Sequence, residues 1–366
     1  LLGDELDGPR GRIYLIKQLL EGQAVSARTQ LHLDRCLTCR ACETTCPSGV
    51  RYGRLADIGR ELVEREVPRP PRQRLLCYLL RKVIAYPRRV APLLFAAQAL
   101  RPLLPAGLRG KVPARQRRTP WPQQPQARRM LALAGCVQSV ATPQTSAAAA
   151  RVLNRLGVQL LNAPGAGCCG AVSYHLSAHE EGLDFMRRNI DAWWPFIEQG
   201  IEAILVTASG CGAVVKDYGH LLSHDPAYAD KAQRVSALTR DVAEVLRDAD
   251  LSGVALGRQA QRVAFHSPCT LQHAQQLDGV VETILSRAGF TLTAVPDAHL
   301  CCGSAGTYSI LQPELSQRLL ANKLAALQQD APDVIATANI GCQMHLASQA
   351  GRPVRHWIEL LDEAMR

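Results

Sequence analysis

Acidic residues disappear from one stretch of this 366-residue chain: from Pro68 to Met130 there are thirteen arginines and two lysines but no aspartate or glutamate. That stretch carries +15, so the remainder sums to −5 and the net charge is +10. A basic balance invites a nucleic-acid reading. Aromatics are only 5% of the chain, and no aromatic stacking platform lies beside the basic stretch, which argues against nucleic acid. Long apolar runs are missing too. The longest, Val90 to Leu100, is eleven residues and carries a proline and a glutamine, against roughly 20 needed to cross a bilayer. No charged-then-apolar signal segment is present. Phosphate-binding glycine loops, flavin or nicotinamide fingerprints and a Ser/His/Asp triad are absent as well. A chain with no organic cofactor site cannot readily take a hydride from a substrate, but with metal clusters it can pass single electrons.

Cysteine is what the chain has instead, thirteen of them. An odd number, mostly in motifs, points to thiolate ligands in a reducing cytoplasm and away from a disulfide framework. Cys36, Cys39, Cys42 and Cys46, followed by Pro47, form a C-x2-C-x2-C-x3-C-P run, the pattern of bacterial-type [4Fe–4S] ferredoxin loops. Three thiolates two residues apart fold round one face of a cubane. The fourth, beside a turn-stopping proline, points toward a second cluster. A zinc knuckle would pair C-x2-4-C with a distant second pair, not crowd four cysteines together.

Around this run the reading is helical. Gly8-Pro9 opens a helix over Arg10–Leu20 that ends before Gly22, Ala27–Leu33 leads into Cys36, and Tyr52–Glu66 follows Pro47. Two-cluster ferredoxin domains carry the run twice, each lending its last cysteine to the other's cluster. This chain holds it once, and the missing run is expected upstream of Leu1. The basic stretch then reads as a linker, leucine-rich and helical over Leu75–Leu104, Pro/Arg/Gln-rich and extended over Pro105–Gln126. Such basic, apolar helices lie on anionic membranes, dock on a partner, or wrap their own domain. Cys77 within it reads as a buried structural thiol.

From Arg129 onward the chain repeats itself. Cys136, Cys168-Cys169-Gly170 and Cys211 recur as Cys269, Cys301-Cys302-Gly303 and Cys342, at offsets of 133, 133 and 131 residues. Each copy reads as an apolar strand ending at the first cysteine, then a helix (Ala147–Leu156; Val280–Ala288). A strand follows (Val158–Leu161; Thr291–Val295) and runs into the Cys-Cys-Gly. A further helix (Glu180–Ile197; Glu314–Leu327) leads to a strand (Ala203–Thr207; Val334–Thr337) ending at the last cysteine. Alternating strands and helices imply parallel sheets covered by helices, with the cysteines just after strand ends, where open α/β sheets place their sites.

Four convergent thiols per copy suit an iron–sulfur cluster, and equally a structural zinc or a redox dithiol. The glycine after each pair permits a tight turn beside a bulky inorganic group. His175, His266 and His345 lie close in sequence to these cysteines; lone histidines are more often hydrogen-bonded core or surface residues than ligands.

Together the cysteine run, the basic linker and the two Cys-Cys-Gly copies resemble the iron–sulfur subunits of bacterial glycolate oxidases. Leu2-Gly-Asp-Glu-Leu-Asp-Gly-Pro-Arg-Gly-Arg-Ile, Leu33-Asp-Arg-Cys-Leu-Thr-Cys-Arg, Asp191-Ala-Trp-Trp-Pro and Leu300-Cys-Cys-Gly-Ser-Ala-Gly-Thr-Tyr extend the likeness over essentially the whole chain. The resemblance implies an α+β multidomain fold. An α-helical ferredoxin-like domain (1–67) and a basic Pro-rich helical linker (68–128) would precede two α/β cysteine-rich CCG repeats (129–255, 256–366). It implies [4Fe–4S] binding by Cys36, Cys39 and Cys42, with Cys46 completing another cluster, and FAD on flavoprotein partner subunits that oxidise glycolate to glyoxylate. The location implied is cytoplasmic, peripheral on the inner face of the membrane, in contact with lipid or quinone. Lactate and glycerol-3-phosphate dehydrogenase subunits share the layout; disulfide or quinone reduction at a CCG site and a metal-free scaffold are the other readings. The cysteine-rich component of heterodisulfide reductases, a more distant likeness, ends each cysteine set with C-x-x-C, where this chain has Val214 and His345. That departure argues against its non-cubane cluster here.

Overall fold

The computed structural model describes residues 1–117, 119–122, 124–251 and 261–365. Two four-stranded sheets organise it. The first contains β1 (Arg128–Ala132), β2 (Val158–Asn162), β3 (Ala203–Val206) and β4 (Thr239–Asp241). The second contains β5 (Arg262–His266), β6 (Thr291–Leu292), β7 (Val334–Thr337) and β8 (Val354–His356). Their orders are β2-β1-β3-β4 and β6-β5-β7-β8, with every pairing parallel. Every residue of β3 and β7 is buried, as expected of central parallel strands covered by helices on both faces.

The expected order of elements holds, with differences of detail. A fourth strand closes each sheet, and its three residues of mixed polarity (Thr-Arg-Asp; Val-Arg-His) give no periodic signal. The expected strand Thr291–Val295 is only the Thr291–Leu292 pair. Cys211 and Cys342 do not end strands. They lie in the first turns of helices Ser209–Lys216 and Ile340–Ala347, just beyond β3 and β7. The expected boundary between copies, 255/256, lies outside the described residues.

The two copies share one core. Val152 and Leu153 of the Pro143–Arg155 helix join Val281 and Ile284 of Val280–Arg287 and Trp357 and Leu361 of Trp357–Ala364 in a single apolar cluster. Polar groups lock this seam. Arg151 holds buried Asp362 through Nη2 at 2.6 Å, and Arg155 adds a contact at 3.0 Å. Thr145 donates to Glu359 at 2.6 Å. His356 Nε2 meets the Thr207 carbonyl at 2.8 Å. Ser209 N donates to the Ala338 carbonyl at 3.1 Å.

The N-terminal region is helical: α1 (Pro9–Leu20), α2 (Ala27–Asp34), α3 (Ala41–Thr44) and α4 (Tyr52–Glu66). Ile16, Leu33 and Val63 form its small core. The linker is more structured than expected. Its helices α5 (Pro71–Ile84) and α6 (Pro87–Leu100) fold back onto the first copy, where Ala85 and Tyr86 pack on Cys136, Cys168 and Phe185. Arg81 and Lys82 pair with Glu181 at 3.1 and 2.8 Å. The region expected to be extended contains a helical turn, Ala106–Arg109. Its Thr119 hydroxyl accepts from Arg151 at 2.7 Å, so the linker straps its own protein. Cys77 is buried, as read.

Candidate functional site

The Cys36 loop begins where α2 ends. Thr38 (φ 53°) and Arg40 (φ 58°) take left-handed conformations that side-chain-bearing residues adopt only when surroundings enforce it. Arg60 is the enforcer: its guanidinium donates to the carbonyls of Leu33 (3.1 Å) and Cys36 (2.7 Å) and to the Thr38 hydroxyl (2.9 Å). Glu43 accepts from Gly53 N at 2.5 Å, pinning α3 to the start of α4. Thr38 N points at the Cys36 sulfur, 3.4 Å away. Burial, then the charges of Cys301, Cys36 and Cys42, push the Cys39 thiol up to about 11. Cys46 is governed by different neighbours. The backbone N–H groups of Val50, Ser48 and Gly49 pull its thiol below the usual range, which separates it from the trio.

This loop docks across the seam between the copies. Arg40 pairs with Asp217 of the first copy at 2.6 Å. Thr44 hydrogen-bonds His273 of the second at 3.0 Å, on the π-helical turn Thr270–Ala274. Behind it, His175 and His179 meet Asp57 and Glu61 of α4 at 3.4 and 2.9 Å. Cys39 thereby comes within electrostatic range of both Cys301 and Cys269.

In each copy the structure brings the four cysteines together. Cys136, Cys168, Cys169 and Cys211 form a chain of thiol contacts in that order, and Cys269, Cys301, Cys302 and Cys342 form the matching chain. The glycine argument is met at both pairs. Gly170 (φ 91°) and Gly303 (φ 86°) are left-handed, and an added Cβ would sit 2.7 Å from the Gly182 carbonyl or 2.6 Å from the Ser316 carbonyl.

The surroundings of the two sets differ. In the first copy Asn189 Nδ2 donates to the Cys168 carbonyl at 2.8 Å and Tyr218 Oη to the Cys169 carbonyl at 2.8 Å. Contact with Cys168, then burial, holds the Cys136 thiol well above its usual range; Cys169 and burial push Cys168 up to about 12 despite Cys136. In the second copy, buried Lys323 donates to the carbonyls of Asp297 (3.1 Å) and Ala298 (2.9 Å) and feels the charges of Cys302, Cys301 and Cys342. Contact with Cys302, and then with His266, outweighs burial and brings Cys342 down to about 5. Contacts with Cys269 and Cys302, together with the Gly303 N–H (3.3 Å from sulfur), hold Cys301 well below its usual range.

The histidines divide accordingly. His345, standing where a C-x-x-C would place a cysteine, is held by the Ser316 hydroxyl at 3.1 Å, and His175 pairs with Asp57; both behave as hydrogen-bonded residues. His266 differs. It is 1% exposed, neither ring nitrogen has an oxygen or nitrogen partner, its imidazole contacts the Cys342 thiol, and its ligand atom lies within 4.8 Å of the Cys302 and Cys342 sulfurs.

A cysteine-rich domain model, CCG, matches residues 130–216 and 263–347, which take in all four cysteines of each copy and all but the last strand of each sheet. Over all 366 residues the chain is 57% identical to the glycolate oxidase iron–sulfur subunit of Escherichia coli K12, covering 100% of this chain and 90% of that protein. The chain belongs to the glycolate oxidase iron–sulfur subunit family. The "Probable glycolate oxidase iron-sulfur subunit" of Bacillus subtilis is 28% identical, covering 93% of this chain and 83% of its own. The lactate utilization protein A of Bacillus licheniformis is 28% identical over only 62% of this chain and 96% of its own.

The donor set fits an iron–sulfur protein. In the Cys36 loop Cys39 feels the charges of Cys36 and Cys42, a backbone N–H is aimed at the Cys36 sulfur, and Thr38 and Arg40 take left-handed conformations. The loop thus offers three of the four thiolates that a cubane takes.

Proposed function

We propose that this chain is the iron–sulfur electron-transfer subunit of a flavin-dependent glycolate oxidase complex. Glycolate is oxidised to glyoxylate on the FAD of flavoprotein partners, and this chain carries the electrons onward. Cys36, Cys39 and Cys42 hold one [4Fe–4S] cluster, Cys46 completes another, and the two four-cysteine sets (Cys136, Cys168, Cys169 and Cys211; Cys269, Cys301, Cys302 and Cys342) hold further thiolate metal centres. A bound cluster supplies one-electron storage. The chain's own residues supply the path. The observation that carries the reading is the docking of the Cys36 loop on both copies, which brings Cys39 within electrostatic range of Cys301 and Cys269. Arg40 and Thr44 hold it there, one on each copy.

The acceptor side is read from the strap. Leu75, Leu93, Phe95 and Leu103 are 58, 60, 55 and 81% exposed on a segment without acidic residues. That combination suits peripheral contact with an anionic membrane, on the cytoplasmic face. Among the described residues, no helix is long and apolar enough to cross a membrane. A cleft of about 770 Å³ between α6 and the first sheet, lined by Pro87, Ala91, Trp121, Pro143 and Leu160, has the apolar character that a quinone headgroup and tail require.

The test is anaerobic purification with iron and acid-labile sulfide quantified per chain, followed by mixing with the flavoprotein subunits and glycolate. Visible absorbance should bleach with glycolate, and Cys39→Ser should lose about one cluster, roughly four irons. Bleaching by lactate but not glycolate would reassign the substrate. Iron-free chain that still assembles with the flavoproteins would make it a scaffold.

A further inference from the structure

The Cys36 run and the two cysteine sets leave one chemically capable group unassigned, the His266 imidazole. It ends β5, where the first copy, at the same offset of 133 residues, has Leu133. Both positions are buried, Leu133 at 3% and His266 at 1% exposure, but their demands differ. A leucine there needs only apolar neighbours. An imidazole with no oxygen or nitrogen partner at either ring nitrogen, set instead against the Cys342 thiol, is a buried polar group that costs about 1–3 kcal/mol where it stays unsatisfied. What surrounds it is sulfur: the ligand atoms of His266, Cys302 and Cys342 all lie within 4.8 Å of one another, and all three residues are buried.

The spacing narrows what fits. A cubane takes one thiolate per iron, so its ligand sulfurs stand on separate metal atoms. Ligands of one tetrahedral ion, at about 2.3 Å for sulfur and 2.0–2.1 Å for nitrogen, stand roughly 3.5–3.8 Å apart, and this trio lies within 4.8 Å, close enough for one ion to draw it together. We infer that His266 is a nitrogen ligand in the second copy, binding the same metal atom as Cys302 and Cys342, with Cys301 or Cys269 completing the set. The metal is of the thiolate-and-imidazole-binding class, zinc or a single iron. The first copy, with Leu133 in place of the histidine, binds through sulfur alone. A neutral imidazole in place of a thiolate makes the centre one negative charge poorer. Where imidazole replaces thiolate on iron, the potential rises. With iron bound, the second copy would be the more electron-accepting of the two; with zinc, which has no redox chemistry, it would be a structural centre.

This inference rests on the proposal that the second copy holds metal, and the experiment separates the two. The anaerobically purified full chain and its Cys301→Ser/Cys302→Ser variant are compared by elemental analysis, which names the element the second copy holds. X-ray absorption at that element's edge, taken as wild type minus double variant, should then show one nitrogen scatterer at about 2.0–2.1 Å beside sulfur at about 2.3 Å. In His266→Cys, metal content should persist with an all-sulfur shell. In His266→Leu, which makes the second copy resemble the first, the nitrogen scatterer should vanish. Metal present with an unchanged spectrum in His266→Leu would overturn the assignment while leaving the metal site standing. If no element is lost in the double variant, the metal site itself fails, and the ligand assignment with it.

Discussion

The two cysteine-rich copies have the same sheet order, the same left-handed glycine after the paired cysteines and the same contact order among their thiols. They differ in what stands around the sulfur. The first copy surrounds it with Leu133, Asn189 and Tyr218, and contact with neighbouring thiols together with burial holds Cys136 and Cys168 above their usual range. In the second, neighbouring thiols and His266 favour thiolate at Cys342 and Cys301. The backbone decides where four sulfurs meet; a few neighbouring side chains decide their charge. Duplication supplied the first property twice, and substitution separated the second.

The comparison can be broken at its seam. Asp362, 2% exposed at its side chain and paired to Arg151 and Arg155, joins the copies. Asp362→Ala removes the buried partner of the part-exposed Arg151 and Arg155 guanidinium groups and should cost about 1.5–3 kcal/mol, read as a fall in denaturant midpoint. A loss under 1 kcal/mol would mean that the apolar cluster alone holds the copies together. His356 gives the same seam a pH dependence. Burial pushes its pKa down to about 4, against about 6.5 unfolded. As pH falls, the unfolded chain takes the proton first. The contribution is therefore full above pH 6.5 and declines by roughly 3 kcal/mol toward pH 4. Unfolding midpoints of parent and His356→Asn should converge across that window, and parallel curves would refute it.

The shared turn is tested next. Gly170→Ala and Gly303→Ala should each cost about 1–3 kcal/mol through enforced left-handed backbone, plus the contact of the new Cβ with a carbonyl. Unequal costs would show that the copies tolerate strain differently. The smallest effect is at the loop. The Arg40–Asp217 pair is 21% and 25% exposed, so Arg40→Ala should cost about 1 kcal/mol or less. Hydrogen exchange of residues 36–46 should nonetheless accelerate, because the loop loses its anchor on the first copy.

The cysteines and the repeat were legible because they are residue types at fixed spacings, and glycine after each pair announced the positive φ. β4 and β8 were not, since three residues of mixed polarity carry no period. The strap's docking was equally hidden: α5 and α6 read as amphipathic, but periodicity cannot say that Ala85 and Tyr86 cover Cys136 and Cys168. His266 looked like any lone histidine. Its setting against sulfur depends on Cys302 and Cys342 arriving from later strands and loops, information that no local window holds.

The Cys36 loop also has a history in time. Its anchors Asp217 and His273 lie 177 and 229 residues further along the chain than their partners Arg40 and Thr44. At about 5–20 residues per second of synthesis, the loop waits roughly 10–45 s before its second anchor exists. Through that interval its thiols are open to cluster delivery and to oxygen alike. The completed second copy then docks on the loop through His273, so the order of synthesis leaves any loading before docking.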